Sequence, residues 1–228
     1  MNKIHFAFIF ARGGSKGIKK KNLIDFRGKP LIYYSISIAK KLGIFKKIYV
    51  CTDDNEIANY SKKLNVDVIK RPKYLARDNS PEFLSWKFSI GYLDKKKIEF
   101  DTFVSLPTTS PLRVKSDIKK AIKKLKNKTD IVVCATKSNR NPWFNMVKKK
   151  DDGYYTLVNK SSNTISSRQK APKVYDLTTI AYVTKPEYIR KSKSIFHGKV
   201  DINLVSKINS IDIDDYEDLY IANKLAKR

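Results

Sequence analysis

The sequence predicts an α/β fold with a mostly parallel sheet flanked by helices. Short apolar segments of strand length, such as residues 4–10, alternate with segments whose apolar residues recur at helical spacing, such as 31–42. Strand–helix–strand units of this kind form parallel sheets. The length of 228 residues suits one domain with a substantial core.

Strands and helices are predicted to alternate as far as residue 135, and the pattern changes after that residue. The first part of the chain is predicted to contain strands at 4–10, 48–52, 66–69, 102–106 and 131–135, and helices at 31–42, 57–65, 82–93 and 117–125. The second part is predicted to contain a hairpin with strands 142–147 and 154–158, a polar loop 159–169, strands 178–183 and 204–208, a short helix after Pro186 and a final helix ending near Ala226.

The charge is strongly basic. Lys and Arg number 48 against 22 acidic residues, which gives a formal net charge of +26. This balance favours an anionic partner, either nucleic acid, an anionic membrane surface or a phosphorylated small molecule. The basic residues are scattered along the whole chain, however, and a general lysine bias of the proteome would give the same pattern.

We expect a cytoplasmic protein that is not inserted in a membrane. The N-terminal apolar run is short and leads directly into a glycine loop, which argues against a signal peptide. No segment approaches the ~20 apolar residues of a membrane helix. Cys51 and Cys134 are far apart and lie in apolar strands, so reduced core thiols are the simplest interpretation.

The segment Phe8–Asn22, FIFARGGSKGIKKKN, is the strongest local signal. Three glycines follow the first strand, and glycine lets backbone N–H groups approach a bound anion closely. Five basic side chains surround them: Arg12, Lys16, Lys19, Lys20 and Lys21. The pattern is neither a Walker P-loop nor a GxGxxG fingerprint. Taken alone, it fits a phosphate site and a solvated basic turn equally well.

Three further stretches carry polar groups after predicted strands or in loops. Arg71 begins RPKYLARD, which offers a guanidinium and the Asp78 carboxylate, and LPTTSPLR at 106–113 offers hydroxyls on a proline-stiffened loop. Arg168 and Gln169 lie in the polar loop, where a bidentate arginine could bind a carboxylate. Each stretch by itself is also compatible with an ordinary surface loop.

Asp212 and Asp214 form a candidate metal site. They alternate across Ile213, so both carboxylates point to one face if the segment is extended. Mg²⁺ typically takes one or two carboxylates together with substrate phosphate oxygens. The alternative is that these acids belong to a helix start, where they would be favourable near the macrodipole; Asp215 and Glu217 fit that alternative better.

Six motifs, in this order along nearly the whole chain, resemble the acylneuraminate cytidylyltransferases, the CMP-sialic acid synthetase family. The motifs are ARGGSKGIxxKN, CTDD followed by IA, RPxxLAxD, TTSPLR followed by DI, RQxxP and SIDID. The resemblance implies a Rossmann-like nucleotide-diphospho-sugar transferase fold. It also implies that CTP reacts with a 2-keto-3-deoxy nonulosonic acid to give a CMP-sugar and pyrophosphate.

The resemblance also implies roles for individual residues. Arg12 and Lys21 would face the charge that develops during the reaction, and Mg²⁺ would be held by Asp212 and Asp214. The nucleotide would be bound by Arg12, Gly13, Gly14, Ser15, Lys16, Lys21, Asn22, Arg71, Asp78 and Ser80. The sugar acid would be bound by Thr109, Ser110, Arg168 and Gln169.

The resemblance further implies a homodimer built on a single domain, 1–228. Residues 138–177 would form a β-rich insertion that mediates dimerisation and covers the active site of the neighbouring subunit, with Arg168 and Gln169 serving that site. No specific nucleic-acid partner is expected.

The sequence departs from the family pattern in the segments that the resemblance assigns to the sugar acid. Pro107 and Thr108 stand where the family has Gln-Pro, and Thr178 and Thr179 stand where it has Asn-Gly. The nucleotide motifs are largely kept. We therefore expect CTP to be used with a nonulosonic acid other than N-acetylneuraminate, such as a legionaminic or pseudaminic type, or with another ulosonic acid.

Three alternatives stay open from the sequence. A CMP-Kdo-type synthetase would share the fold and chemistry, although its usual ARxxSxRxPxK loop differs from this one. A basic nucleic-acid-binding protein would explain the charge and predicts steeply salt-dependent binding. A catalytically silent homologue would act as a structural subunit.

Overall fold

The computed structural model describes residues 3–160 and 165–226, which form a seven-stranded sheet with helices on both faces. The strands, including those outside the main sheet, are β1 (His5–Phe10), β2 (Asp25–Phe26), β3 (Lys29–Pro30), β4 (Phe45–Thr52), β5 (Asp67–Lys70), β6 (Thr102–Ser105), β7 (Ile131–Lys137), β8 (Val147–Lys149), β9 (Tyr155–Leu157), β10 (Tyr175–Thr184) and β11 (Val200–Leu204). The α-helices are α1 (Leu31–Leu42), α2 (Asn55–Lys63), α3 (Glu82–Lys95), α4 (Lys115–Lys124), α5 (Pro186–Lys191) and α6 (Tyr216–Leu225).

The main sheet has the strand order β11-β7-β10-β6-β1-β4-β5. All neighbouring pairs are parallel except those of β10, which runs antiparallel to both β6 and β7. The prediction of a mostly parallel sheet flanked by helices is therefore confirmed. The carboxyl ends of β1, β4, β5 and β6 lie along one edge, where open α/β sheets place their ligand sites.

Helix ends follow from local sequence. Gly43 ends α1 with a left-handed backbone, φ 65°, a conformation that glycine adopts without steric cost. Asp54 caps α2 by accepting a hydrogen bond from the Ile57 N–H at 2.9 Å. Asp215 and Asp218 form a capping box at the start of α6, which confirms the helix-start role expected for Asp215.

The core has one cluster on each face of the sheet. Strand β1 is central and buried on both sides, which explains its nearly continuous apolar sequence. On the aromatic face, Phe8 and Phe103 stack with ring centroids 4.4 Å apart, and Trp86 of α3 packs against Phe103. These side chains hold α3 directly behind the carboxyl edge of the sheet.

Two boundaries in the second part of the chain were predicted wrongly. Residues 204–208 were expected to be a strand, but the strand is Val200–Leu204, and a turn follows in which the Ser206 hydroxyl accepts from the Asn209 N–H. The hairpin forms around Gly153 as expected, yet its first strand is only Val147–Lys149. Asn141 folds the preceding residues into a turn by accepting from the Trp143 N–H. The predicted polar loop 159–169 lies partly outside the described residues.

Both cysteines, Cys51 and Cys134, are buried and unpaired, as expected. None of the helices in the described ranges combines the length and the apolar character needed to cross a membrane.

We predict that Phe103→Ala lowers the free energy of unfolding by about 3–5 kcal/mol, because it leaves a cavity in a fully buried aromatic cluster. Urea denaturation measures this change. Phe196→Ala is the control, since Phe196 is 62% exposed and its loss should cost less than about 1 kcal/mol. Equal losses for the two variants would contradict the described core.

Candidate active site

A cleft of about 370 Å³ lies at the carboxyl edge of the sheet. It brings together residues from every segment with a predicted role except the polar loop. Those lining it are Arg12, Gly14, Ser15, Lys21, Asn22, Arg71, Asp78, Ser80, Thr109, Asp212 and Asp214. The cleft lies where the loops after β1, β5 and β6 converge with the segment before α6.

The glycine loop after β1 contacts the residues that follow β4. The Gly13 N–H donates to Asp53 Oδ1 at 3.2 Å, and a Cβ on Gly13 would lie 2.7 Å from Asp54 Oδ2. Glycine is therefore required at position 13 by close packing against the two aspartates that follow β4. Gly13 itself supports the cleft, whereas Gly14 and Ser15 line it.

The far end of the same loop contacts the predicted metal site. A Cβ on Gly17 would collide with the backbone carbonyl oxygen of Asp214. Lys21 Nζ donates to Asp214 Oδ1 at 2.7 Å, and the Lys21 side chain is only 15% exposed. Ile18 and Ile213 also pack in one small apolar cluster. The loop and the aspartate segment thus form a single wall of the cleft.

Asp212 and Asp214 both line the cleft, while Ile213 between them is buried in the core, as the extended alternation predicted. Burial raises the pKa of the Asp212 carboxyl group, and this outweighs the opposing effect of the Thr109 hydroxyl. Its Oδ1 is buried and has no hydrogen-bond partner among the described residues. An uncompensated carboxylate oxygen of this kind is suited to a cation.

Asp78 holds two of the predicted phosphate-binding cations. Its carboxylate lies 2.7 Å from Arg12 Nη1 and 3.3 Å from Lys16 Nζ. The hydrogen bond from Lys16, together with the Arg12 charge, lowers the pKa of Asp78. Arg12 lines the cleft, whereas Lys16 is 78% exposed beside it. Asp78 therefore places both cations at the rim of the cleft.

Arg71 is nearly fully buried at the end of β5 and lines the cleft. Its Nη1 donates to the Ser85 hydroxyl at 2.9 Å, and its Nη2 lies 3.7 Å from Asp53 Oδ1. Its Nε is buried without a hydrogen-bond partner in the described part of the chain. Ser85 and Asp53 thus fix the guanidinium in the wall of the cleft.

The Asn22 amide is already engaged within the protein. Its Nδ2 donates to the Arg12 carbonyl oxygen at 2.8 Å, and its Oδ1 accepts from the Thr108 hydroxyl. Asn22 thus links the glycine loop to the loop after β6. Recognition of a nucleotide by Asn22 stays a prediction.

The predicted sugar residues fall into two groups. Thr109 lines the cleft, and Ser110 is buried behind it with its hydroxyl 2.6 Å from that of Thr179. Arg168 and Gln169 instead line a second cleft of about 280 Å³, together with Arg140 and Lys173. Within one chain the structure does not bring these two groups together.

The Thr179 position depends on an irregularity in β10. Pairing between β10 and β7 is interrupted between Leu177 and Tyr182, and Thr179 falls in this interruption. Because β10 is antiparallel to β6, this part of β10 extends past the carboxyl end of β6 and lines the cleft. Arg113 fixes the arrangement by donating to the carbonyl oxygens of Ser110, Pro107 and Thr179. Burial lowers the pKa of Arg113 to about 9.

Sequence reasoning missed some of the cleft residues. Glu82, Trp86 and Tyr182 line it, yet each stands at a position that the sequence pattern assigns to an element start or to the core. Asp53 was noted at a strand end, but its contacts with Gly13 and Arg71 could not be foreseen from spacing. The cleft as a whole offers cations for phosphate oxygens beside two carboxylates for a divalent cation.

Comparison with known proteins identifies the family of this chain. The family model described as "Cytidylyltransferase" matches residues 6–224. The chain is 32% identical over 222 residues to post-translational flagellin modification protein B of Campylobacter coli, covering 96% of this chain and 93% of that protein. It is also 32% identical over 220 residues to CMP-N,N'-diacetyllegionaminic acid synthase of Campylobacter jejuni, covering 95% of this chain and 92% of that protein.

The fold has solved counterparts as well. A structure of CMP:2-keto-3-deoxy-manno-octonic acid synthetase, complexed with CTP, superposes with a TM-score of 0.71 at 13% identity and covers 97% of this chain and 98% of that one. At that identity the likeness concerns the fold. Together with the match over nearly the full length, these findings show that the chain belongs to the cytidylyltransferase family.

Proposed function

We propose that this protein transfers the CMP moiety of CTP to a nonulosonic, sialic-acid-like sugar acid and releases pyrophosphate. The observation that carries the proposal is the convergence of Arg12 and Lys21 with Asp212 and Asp214 in one cleft. Membership of the cytidylyltransferase family supports CTP as the nucleotide. The name of the legionaminic acid relative supports the class of sugar.

The reaction needs positioning and charge neutralisation more than covalent help from the protein. The anomeric hydroxyl oxygen of the sugar acid attacks the α-phosphorus, the bond from that phosphorus to the bridging oxygen breaks, and pyrophosphate leaves. The hydroxyl proton passes to solvent or to a nearby base. Arg12 and Lys21 stabilise the negative charge that builds on the phosphate oxygens.

The triphosphate is assigned to the glycine loop and its cations. Gly14, Ser15 and Lys21 line the cleft, with Gly13 supporting the loop and Lys16 at its rim. The nucleoside is assigned to the part of the same cleft that Arg71, Asp78 and Ser80 line. Asn22 contributes by holding the Arg12 carbonyl.

Asp212 and Asp214 would hold Mg²⁺. The buried, unpartnered Oδ1 of Asp212 fits a cation, and burial raises the pKa of this carboxyl group. When bound, the ion supplies positive charge to the phosphate oxygens. Within the described ranges no cluster of three or more acidic, histidine or cysteine side chains is found, so phosphate oxygens would complete the coordination.

The homodimer is supported by the segment 138–177. The hairpin of β8 and β9 exposes large side chains at its strands and their ends: Met146, Val147, Tyr154 and Tyr155 are between 40% and 74% exposed. Such side chains are typical of a surface that a partner covers. In a dimer, the cleft with Arg168 and Gln169 would serve the neighbouring subunit's sugar site.

The chain is assigned as a single cytidylyltransferase domain, 1–228, with 138–177 as its insertion. The two unpaired cysteines are compatible with a reducing cytoplasm.

The proposal predicts pyrophosphate release from CTP in the presence of Mg²⁺ and one member of a panel of sugar acids. The panel contains N-acetylneuraminic, legionaminic, pseudaminic and 2-keto-3-deoxy-octonic acids. We expect a nonulosonic acid other than N-acetylneuraminate to give the highest kcat/KM, because Pro107 and Thr179 replace family residues in the cleft wall. Highest activity with the octonic acid would instead support a CMP-Kdo-type enzyme, and no activity would support a silent homologue.

Asp212→Asn should lower kcat by ~10²-fold or more, because it removes a ligand charge at the metal site. Binding of Mn²⁺ in the presence of CTP, followed by electron paramagnetic resonance, should weaken in parallel. Asp67→Asn is the control, since Asp67 begins β5 at the opposite edge of the sheet. Activity of Asp212→Asn within about threefold of the parent would refute the assignment.

A site shared between subunits predicts complementation. Arg168→Ala and Asp214→Asn chains should each be inactive alone, yet dimers containing one of each have one intact site if Arg168 acts on the neighbour. Coexpression of the two chains should restore about a quarter of the parent activity, since about half of the dimers are mixed and half of their sites are intact. An active monomer in sedimentation, or no restoration in mixed dimers of confirmed composition, would contradict the shared site.

A further inference from the structure

Glu82 is a carboxylate in the cleft that the reaction as described does not use. It is the first residue of α3 and lines the cleft, close to Arg71. The residue is exposed on the cleft surface, and desolvation by the surrounding protein raises the pKa of its carboxyl group. Its exposure at the cleft leaves this carboxylate accessible to a ligand.

One oxygen of Glu82 is fixed by the protein. Trp86 Nε1 donates to Oε1 at 2.9 Å, and the Ser105 hydroxyl lies 3.4 Å from the same atom. Trp86 and Ser105 are both fully buried, so the carboxyl group is held in place. No hydrogen bond to Oε2 is found within the described residues. The structure therefore presents an oriented acceptor with one oxygen available.

Arg71 supplies the complementary donor in the same cleft. Its Nη1 is held by Ser85, which lies one turn along α3 from Glu82, and its buried Nε has no partner in the described part of the chain. The Arg71 residue is only 7% exposed. A guanidinium held by Ser85 and Asp53 and a carboxylate held by Trp86 thus both line the cleft. Of the other acids near Arg71, Asp78 pairs with Arg12 and Lys16, and Asp53 lies 3.7 Å from Arg71 Nη2.

This pair matches the edge of cytosine and not that of uracil. Cytosine carries an exocyclic amine, which donates, beside a ring nitrogen and a carbonyl oxygen, which accept. Uracil carries a carbonyl oxygen where cytosine has the amine, so a carboxylate there would face a second acceptor. Glutamate and aspartate accept from the cytosine amine in other recognition sites for the same reason.

We propose that Glu82 is a specificity-determining residue that accepts a hydrogen bond from the cytosine amine through Oε2, while Arg71 donates to the carbonyl side of the base. The inference rests on the proposed function, because it requires CTP in this cleft. It deepens that function by assigning the choice between CTP and UTP to one side chain. Trp86 and Ser105 act as positioning residues for Glu82.

The test compares CTP and UTP binding by calorimetry in the presence of Mg²⁺ and without sugar acid, so that no reaction takes place. The triphosphate is common to both ligands, and the ratio of their Kd values reports on the base alone. The parent should bind CTP more tightly by about tenfold or more. Glu82→Gln, which keeps the size and adds a donor for the uracil oxygen, should reduce this ratio by about tenfold or more.

Two further variants make the result interpretable. Glu82→Met removes both acceptor oxygens at similar volume, so CTP binding should weaken while UTP binding changes little. Glu99→Gln is the matched control, because Glu99 is exposed at the end of the α3–β6 connection and should leave the ratio unchanged. Thermal melting followed by circular dichroism identifies which variants are folded.

The outcomes separate the inference from the function on which it rests. A parent that does not bind CTP contradicts the proposed function. A parent that prefers CTP, with a folded Glu82→Gln or Glu82→Met variant that keeps the CTP:UTP ratio within about threefold, overturns the role of Glu82 alone. An unchanged ratio combined with a raised KM for the sugar acid also overturns it, and places Glu82 on the sugar side.

Discussion

The contact between Lys21 and Asp214 joins two segments that are 193 residues apart in the sequence. The Gly17 position reinforces it, because the loop approaches the Asp214 carbonyl more closely than any residue with a Cβ would permit. Ile18 and Ile213 add apolar packing beneath these polar contacts. Without this junction, the glycine loop would be a basic turn and the aspartates would precede a helix. With it, cations and carboxylates face one cleft.

The charged side chains of the site form ion pairs in which a charged ligand can replace one partner. Asp78 pairs with Arg12 and Lys16, and Asp214 pairs with Lys21. Apart from Lys21, these side chains are at least about one-third exposed, and exposed ion pairs contribute only about 0–1 kcal/mol. A triphosphate with its metal ion offers more negative charge than either aspartate and can replace it at small cost. Asp212 and Arg71 differ, because each has one buried polar atom without a hydrogen-bond partner in the described residues.

The sequence was sufficient for the fold and for the segments that form the site. Strand–helix alternation predicted the sheet, and the motifs placed Arg12, Arg71, Asp212 and Thr109 at what proved to be one edge of it. The sequence was insufficient where the position of a side chain depends on tertiary contacts. Glu82 has the pattern of an acid at a helix start, and only the packing of Trp86 and Ser105 turns its carboxyl group into the cleft. The position of Thr179 depends on an interruption in strand pairing, and no local sequence signal predicts that interruption.

The most direct test of the junction is CTP binding by Gly17→Ala, measured by calorimetry in the presence of Mg²⁺. The added methyl group must push the loop away from Asp214. Gly91→Ala is the matched control, because a Cβ at that helical position meets no atom within 4 Å. The account predicts that Gly17→Ala weakens CTP binding roughly tenfold or more, equivalent to about 1.4 kcal/mol, while Gly91→Ala leaves it unchanged. A folded Gly17→Ala protein that binds CTP as tightly as the parent would contradict it.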